Sequence, residues 1–212
     1  MRVDLHQEID PADDSLEIPW SDPDNPQRKY LDLKAQPELI ELVEECREHP
    51  ALADFLRQIN SSNSPFRTAK CDVWATTDLA EDERRDFNLP QKVGSYVDLL
   101  FDSASSSSRL ETQLELGAYL VRRLAGLRVA AQLEICVRRC WFHDGDRRGY
   151  YLTLFLNGYG SSHEEAGEEW SRALAAVGAA LRARLTAMTR KKAKAKKGHF
   201  EGGKKGDISR EL

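Results

Sequence analysis

The sequence predicts an α+β fold: a two-layer sandwich whose four-stranded antiparallel sheet comes from two tandem strand-strand-helix units, with N-terminal helices packed against it. Three observations predict it. Residues 66–126 and 130–188 each read as two strands followed by an amphipathic helix. Ser95-Tyr96-Val97-Asp98-Leu99-Leu100-Phe101-Asp102 aligns position by position with Tyr150-Tyr151-Leu152-Thr153-Leu154-Phe155-Leu156-Asn157, and Trp74 falls near the place of Trp141. In both stretches a serine with a glutamate three residues on, Ser108 with Glu111 and Ser162 with Glu165, precedes an apolar stripe at helical spacing, the pattern of a capping box. Few identities align, so a duplication and a shared ββα grammar both remain open, and either gives the same fold.

Residues 1–36 carry four prolines among eight acids up to Asp24, which reads as an acidic, Pro-rich extended arm because proline removes backbone donors and restricts its neighbours. Leu16, Ile18 and Trp20 alternate and could pin it to the body as a short edge segment; a disordered tail is the other reading of the composition. The domain proper is expected over 37–188. Its leading helices, 37–64, start at Pro37 and Pro50, since proline suits the first helical turn. They run to about Glu48 and Ile59 and stop in Asn60-Ser61-Ser62-Asn63-Ser64-Pro65.

Strands are expected at about 67–77 and 94–102 in the first unit and at 132–142 and 150–157 in the second. The second pair is joined through Asp144-Gly145, a hairpin signal. The first unit has about 12 extra residues in its 78–93 connection, and long loops inside compact domains are more often functional than accidental. Its helix is expected to follow Ser108, with Leu110, Leu114, Gly117, Val121 and Leu124 as its stripe and Gly126 as a left-handed terminator. Trp170, Leu174, Val177, Leu181, Leu185 and Met188 form the stripe of the second. Val97, Leu99 and Phe101, with Leu152, Leu154 and Leu156, face these helices, so Leu100 and Phe155 on the opposite face need cover from the N-terminal helices or a partner.

The 212 residues carry a net charge of −4 that hides an asymmetry. The basic Lys-rich tail, 189–212, is +6 and the remainder −10. Opposed blocks of this kind mark an interaction tail on an acidic body rather than a uniformly basic nucleic-acid binder. Arg190, Lys191, Lys192, Lys194, Lys196 and Lys197 are the candidate polyanion-binding residues, supplying salt-sensitive attraction to phosphates. A solubilising tail, a docking segment for an acidic protein and a continuation of the last helix are the competing readings. No apolar run approaches the roughly 18 residues of a membrane span, and the acidic start lacks the features of a secretory signal, so the expected setting is cytoplasmic.

Four cysteines without a CxxC pair give neither a disulfide framework nor a zinc ribbon. Cys136 and Cys140 share a strand face and leave room for one site with Cys71, but buried free thiols account for all of them. His143, Asp144 and Asp146 read as a solvated turn rather than a metal cluster. Cys140 and His143, three apart on a strand, point to opposite faces and make a poor nucleophile and base. Glu164 and Glu165 suit a helix N-terminus, and Gly158-Tyr159-Gly160-Ser161-Ser162 lacks the cations of a phosphate loop.

No catalytic residue, metal site or cofactor is therefore expected. The reading favoured is a non-enzymatic protein-interaction or accessory module, adaptor- or chaperone-like, binding a protein partner or a second copy. It would act through its sheet face, acidic arm and basic tail. Trp20, Tyr96, Tyr151 and Phe155 are the candidate partner-binding residues, since aromatic anchors dominate interfaces; a place in the core is their other reading. The alternatives are nucleic-acid or other polyanion binding through the tail, and an enzyme with a cleft between the 78–93 loop and the 143–149 hairpin.

Overall fold

Alternation puts Val3 and Leu5 on one side of the first segment and Asp4, His6 and Glu8 on the other, which suits a strand with one buried face. In the computed structural model, which describes residues 1–143 and 146–202 and gives 185–202 as backbone only, this segment is strand β1 (Arg2–Glu8). β2 (Ser15–Ile18) follows it. Both pair in parallel with β5 (Ala131–Phe142), β1 opposite Gln132 to Arg138 and β2 opposite Arg139 to Phe142. With β3 (Phe66–Thr76), β4 (Gln91–Phe101) and β6 (Arg147–Gly160) the sheet has the order β1-β5-β6-β4-β3, β2 lying on β5 beyond β1.

The protein is thus α+β with a mixed six-stranded sheet, not the four-stranded antiparallel sheet expected. The two added strands come from the segment read as an arm. Their partner lies about 130 residues away, so no local turn announces the pairing.

A 3-10 helix (Pro37–Leu42), α1 (Glu45–Glu48) and α2 (Pro50–Ile59) lead into β3. The continuous helix expected from Pro37 to Glu48 breaks at Val43, whose φ of −79° and ψ of 107° are extended; the break lets both Ile40 and Val43 reach the core. Asn60 ends α2, its side chain bonding the Leu56 carbonyl and Thr68 at the start of β3. The 78–93 connection contains a helix, α3 (Glu81–Phe87), closed by Asn88 in the left-handed conformation.

After the short α4 (Ala104–Ser107), α5 runs over Leu110–Leu124. The capping box of Ser108 with Glu111 does not form, because Ser108 is held by the α4 turn through the Ala104 and Ser105 carbonyls. Gly126 is not a left-handed terminator: Ala125 stays helical at φ −57° and Leu127 donates to the Leu124 carbonyl, tightening the last turn instead. The face of α5 that is buried is Gln113, Leu116, Gly117, Leu120 and Leu124, with Leu110, Leu114 and Val121 at its margin.

α6 (His163–Gly202) is capped by Ser162, whose hydroxyl accepts from the Glu165 N–H, while the Glu165 carboxylate reaches back to the Ser161 N–H at 2.7 Å. Trp170, Leu174, Val177 and Leu181 form its buried stripe. α2, α5 and α6 pack on one sheet face around Val97, Leu99, Leu133, Ile135, Leu152 and Leu154. Gly158 sets the distance between α6 and the sheet, since a Cβ there would stand 2.3 Å from the Trp170 backbone nitrogen and 2.5 Å from the Ala166 carbonyl oxygen.

Among the described residues, the second face is covered only at its ends. At one end Leu16 and Ile18 bury Leu100, Cys140, Phe142 and Tyr151 in a small second core. The leading helices take no part there, as they belong to the helix layer, so the cover for Leu100 comes from the arm. At the other end Phe87 of α3 stacks on Tyr159 of β6, ring centroids 3.9 Å apart. A trough remains between the two lids.

Candidate functional site

Pleating decides which side chains floor the trough. Because Val97, Leu99, Leu152 and Leu154 face the helices, Tyr96, Asp98, Tyr151, Thr153 and Phe155 must face the other way, and they line a hollow of about 530 Å³ with Trp20, Lys70 and Arg138 at its walls. Trp20, Tyr96, Tyr151 and Phe155 are thus brought together. Tyr96 and Phe155 lie half-buried on neighbouring strands, their rings 6.1 Å apart. Tyr151 is buried and belongs to the second core. Trp20 donates its indole N–H to the Ala69 carbonyl at 2.9 Å and carries the Lys70 ammonium 4.7 Å above its ring.

Two residues that sequence reasoning passed over give the hollow its electrostatics. Asp98 is 4% exposed, and its carboxylate accepts one hydrogen bond, from the Thr153 hydroxyl at 2.7 Å. Burial pushes its carboxyl up to about 6, against the opposing pull of that bond, Lys70 and Arg138. Arg138 lies 5.4 Å from the Phe155 ring centroid and pairs with Glu8 at 2.5 Å. Alternation in the sequence puts Asp98 on the same face as Tyr96, whereas only the pairing of β5 with β6 sets Arg138 across from Tyr151. Burial also raises the Tyr96 hydroxyl to about 12, with Asp98 and Asp72 adding to the effect.

The Asp98 carboxyl works against folding at neutral pH. The unfolded chain releases its proton near the ordinary 3.8 and the folded chain only near 6, so its contribution to stability falls as pH rises between those values. Asp98→Asn is expected to stabilise the protein by about 2–3 kcal/mol at pH 7 and by little at pH 4. Urea midpoints at the two pH values check this; an equal difference at both would show that Asp98 ionises normally.

Beside this hollow, toward α3, lies a second one lined by Asp78, Asp82, Glu83, Glu134, Gln132 and Asn157 with Lys92. Carboxylates outnumber cations there, and Lys92 is already held by Glu83 at 2.8 Å.

The thiols are not activated. Burial pushes Cys46 and Cys136 up to about 11 and Cys140 up to about 12, and raises Cys71 as well. Cys71 pairs opposite Val97 on the helix side, so it does not meet Cys136 and Cys140. His143 contacts Glu17 at 3.2 Å, while Cys140 lies in the second core; Asp144 lies outside the described residues. The side chains of Arg190, Lys191, Lys192, Lys194, Lys196 and Lys197 are also outside them, though the helix backbone runs through these positions.

No protein-family model, curated protein or solved structure matches this chain. Function must be read from the trough alone. Among the described residues no helix is long and apolar enough to cross a membrane.

Proposed function

We propose that the chain is a non-enzymatic protein-interaction module whose trough receives an extended, basic segment of a partner protein. The observation that supports this is a charge imbalance beside half-buried aromatic rings. The two hollows are lined by seven carboxylates and three cations, and each cation is engaged: Lys70 over Trp20, Arg138 on Glu8 and Phe155, Lys92 on Glu83. Five of the carboxylates have partners in turn: Glu17 meets His143, Asp78 Arg84, Asp82 Arg2, Glu83 Lys92 and Glu134 His6. Asp14 and Asp98, which form no ion pair among the described residues, lie in the same hollow as Tyr96 and Phe155 and suit a lysine or arginine side chain, held by charge and by the ring face together. The two strand-strand-helix units are, on this reading, the rigid scaffold, and the arm and α3 are the specific parts. Four free thiols suit the reducing cytoplasm.

Fluorescence anisotropy with a labelled nine-residue peptide of alternating Arg and Ser tests the reading. The full-length protein is expected to bind it with an affinity that falls as salt rises. Tyr96→Ala combined with Phe155→Ala is expected to weaken binding about tenfold or more, and Asp98→Asn to weaken it despite the more stable fold. Truncation after Thr189 is expected to leave binding unchanged. The proposal fails if no peptide binds while a labelled RNA does and is lost with that truncation, the result a polyanion binder would give.

A further inference from the structure

Beyond the Phe155 edge of the trough, the pairing of β1 with β5 gathers several metal-binding side chains. His6 stands opposite Cys136, Asp4 opposite Glu134 and Glu8 opposite Arg138. The His6 Nε2 lies 3.3 Å from Glu134 Oε1 and 3.7 Å from Glu8 Oε1, and the donor atoms of His6, Glu8 and Cys136 all fall within 4.8 Å of one another. Around a tetrahedral zinc ion, with bonds of about 2.0–2.3 Å, neighbouring donors stand roughly 3.3–3.8 Å apart. Two of the spacings already have that size.

The surroundings fit as well. The Arg138 guanidinium holds the second oxygen of Glu8 at 2.5 Å, which leaves Oε1 turned toward His6, as an outer partner orients a metal-bound carboxylate. Cys136 is fully buried at the base of the cluster, whereas His6 and Glu134 are about two-fifths exposed and leave an approach from solvent. With the thiol deprotonated, the two carboxylates and the thiolate exceed Arg138 by two negative charges, the complement of a divalent ion.

We propose that His6, Glu8, Glu134 and Cys136 form a binding site for a divalent transition metal, with zinc the best match. Nitrogen, sulfur and carboxylate oxygen together select zinc over the hard cations, which take oxygen alone. On binding, the Cys136 thiol proton passes to solvent and the sulfur bonds the metal. The site ties β1 to β5 and so fixes the edge of the sheet. It shares Glu134 with the lining of the second hollow, but its metal titration is read independently of peptide binding. Spacing along the chain hides it, because its donors come from two segments about 130 residues apart.

The experiment uses chelator-stripped full-length protein, titrated with zinc against a chromophoric competitor and, in parallel, with cobalt(II) as a spectroscopic probe. One zinc per chain is expected, together with a higher melting temperature in its presence and a sulfur-to-cobalt charge-transfer band in the near ultraviolet. His6→Gln and Glu134→Gln, at partly exposed positions that should fold normally, are expected to weaken zinc by roughly a hundredfold or more, beyond the loss of an outer partner. Cys136→Ser is expected to remove the cobalt band. Absence of zinc binding by the wild type, or binding that His6→Gln leaves unchanged without a sulfur band, overturns the proposal.

Discussion

Glu83→Ala is expected to cost about 3–5 kcal/mol and to loosen α3 from the sheet, because this one carboxylate gathers three donors. One oxygen accepts from Lys92 at 2.8 Å and from the Tyr159 hydroxyl at 2.8 Å; the other accepts from Lys92 at 2.9 Å and from the Ala80 N–H at 2.8 Å. Removing it leaves the Lys92 ammonium, whose side chain is 13% exposed, buried without its counter-charge, and such half-broken pairs are strongly destabilising. Burial alone would raise the Glu83 carboxyl, but the bonds from Lys92, Ala80 and Tyr159 outweigh it and hold it below the usual range. Its contribution is therefore present above the unfolded value of about 4.5 and is lost as pH falls through the lower, folded one. Urea unfolding at pH 7 and pH 3 checks both parts. A loss below about 1 kcal/mol at pH 7, or one that does not shrink in acid, would rule out this anchoring role.

Trp170→Ala is expected to be comparably damaging, at about 3–5 kcal/mol. The side chain is 2% exposed, sits edge-on to the His49 ring at 5.7 Å and donates its indole N–H to the Ser95 hydroxyl at 2.8 Å. It therefore joins α6, β4 and the start of α2. The loss combines a cavity that the surrounding helix and sheet cannot close with a buried hydroxyl left short of a donor. Trp170→Phe keeps most of the volume and loses chiefly the hydrogen bond, so about 1–2 kcal/mol is expected. Denaturant midpoints for both variants separate packing from hydrogen bonding; equal losses would show that the ring's bulk contributes little. With domain stability usually about 5–15 kcal/mol, the Ala variant would retain only a modest reserve.

What could be read in the sequence follows a physical division. Apolar periodicity reports burial on one face, and so β5, β6 and the α6 stripe from Trp170 to Leu181, with its Ser162 cap, lie close to where alternation and spacing put them, while the side chains of Leu185 and Met188 lie outside the described ones. The buried face of α5 differs from the expected stripe, with Leu116 and Leu120 rather than Leu114 and Val121 at its fully buried positions. The parallel strands β1 and β2 were hidden for a different reason. Parallel pairing needs no tight turn, and a partner so distant in the chain leaves no mark on local composition.

The trough shows the same division. Its aromatic residues stood out by type, whereas Asp98 and Thr153 are ordinary residues made distinctive by burial beside each other. Nothing in the sequence marks Arg138 as the side chain that connects Glu8 with Phe155. These are properties of cross-strand neighbours, and register is fixed only when the whole sheet forms.

The pairing of β1 with β5 also orders events during synthesis. About 130 residues separate Arg2 from Gln132, an interval of roughly 6–26 s at about 5–20 residues per second. Throughout that interval β1 lacks its partner β5, whereas β3 and β4 can form their hairpin as soon as both emerge. β1 is thus set into the sheet after β5 has been made, and the trough gains its arm-side lid only then.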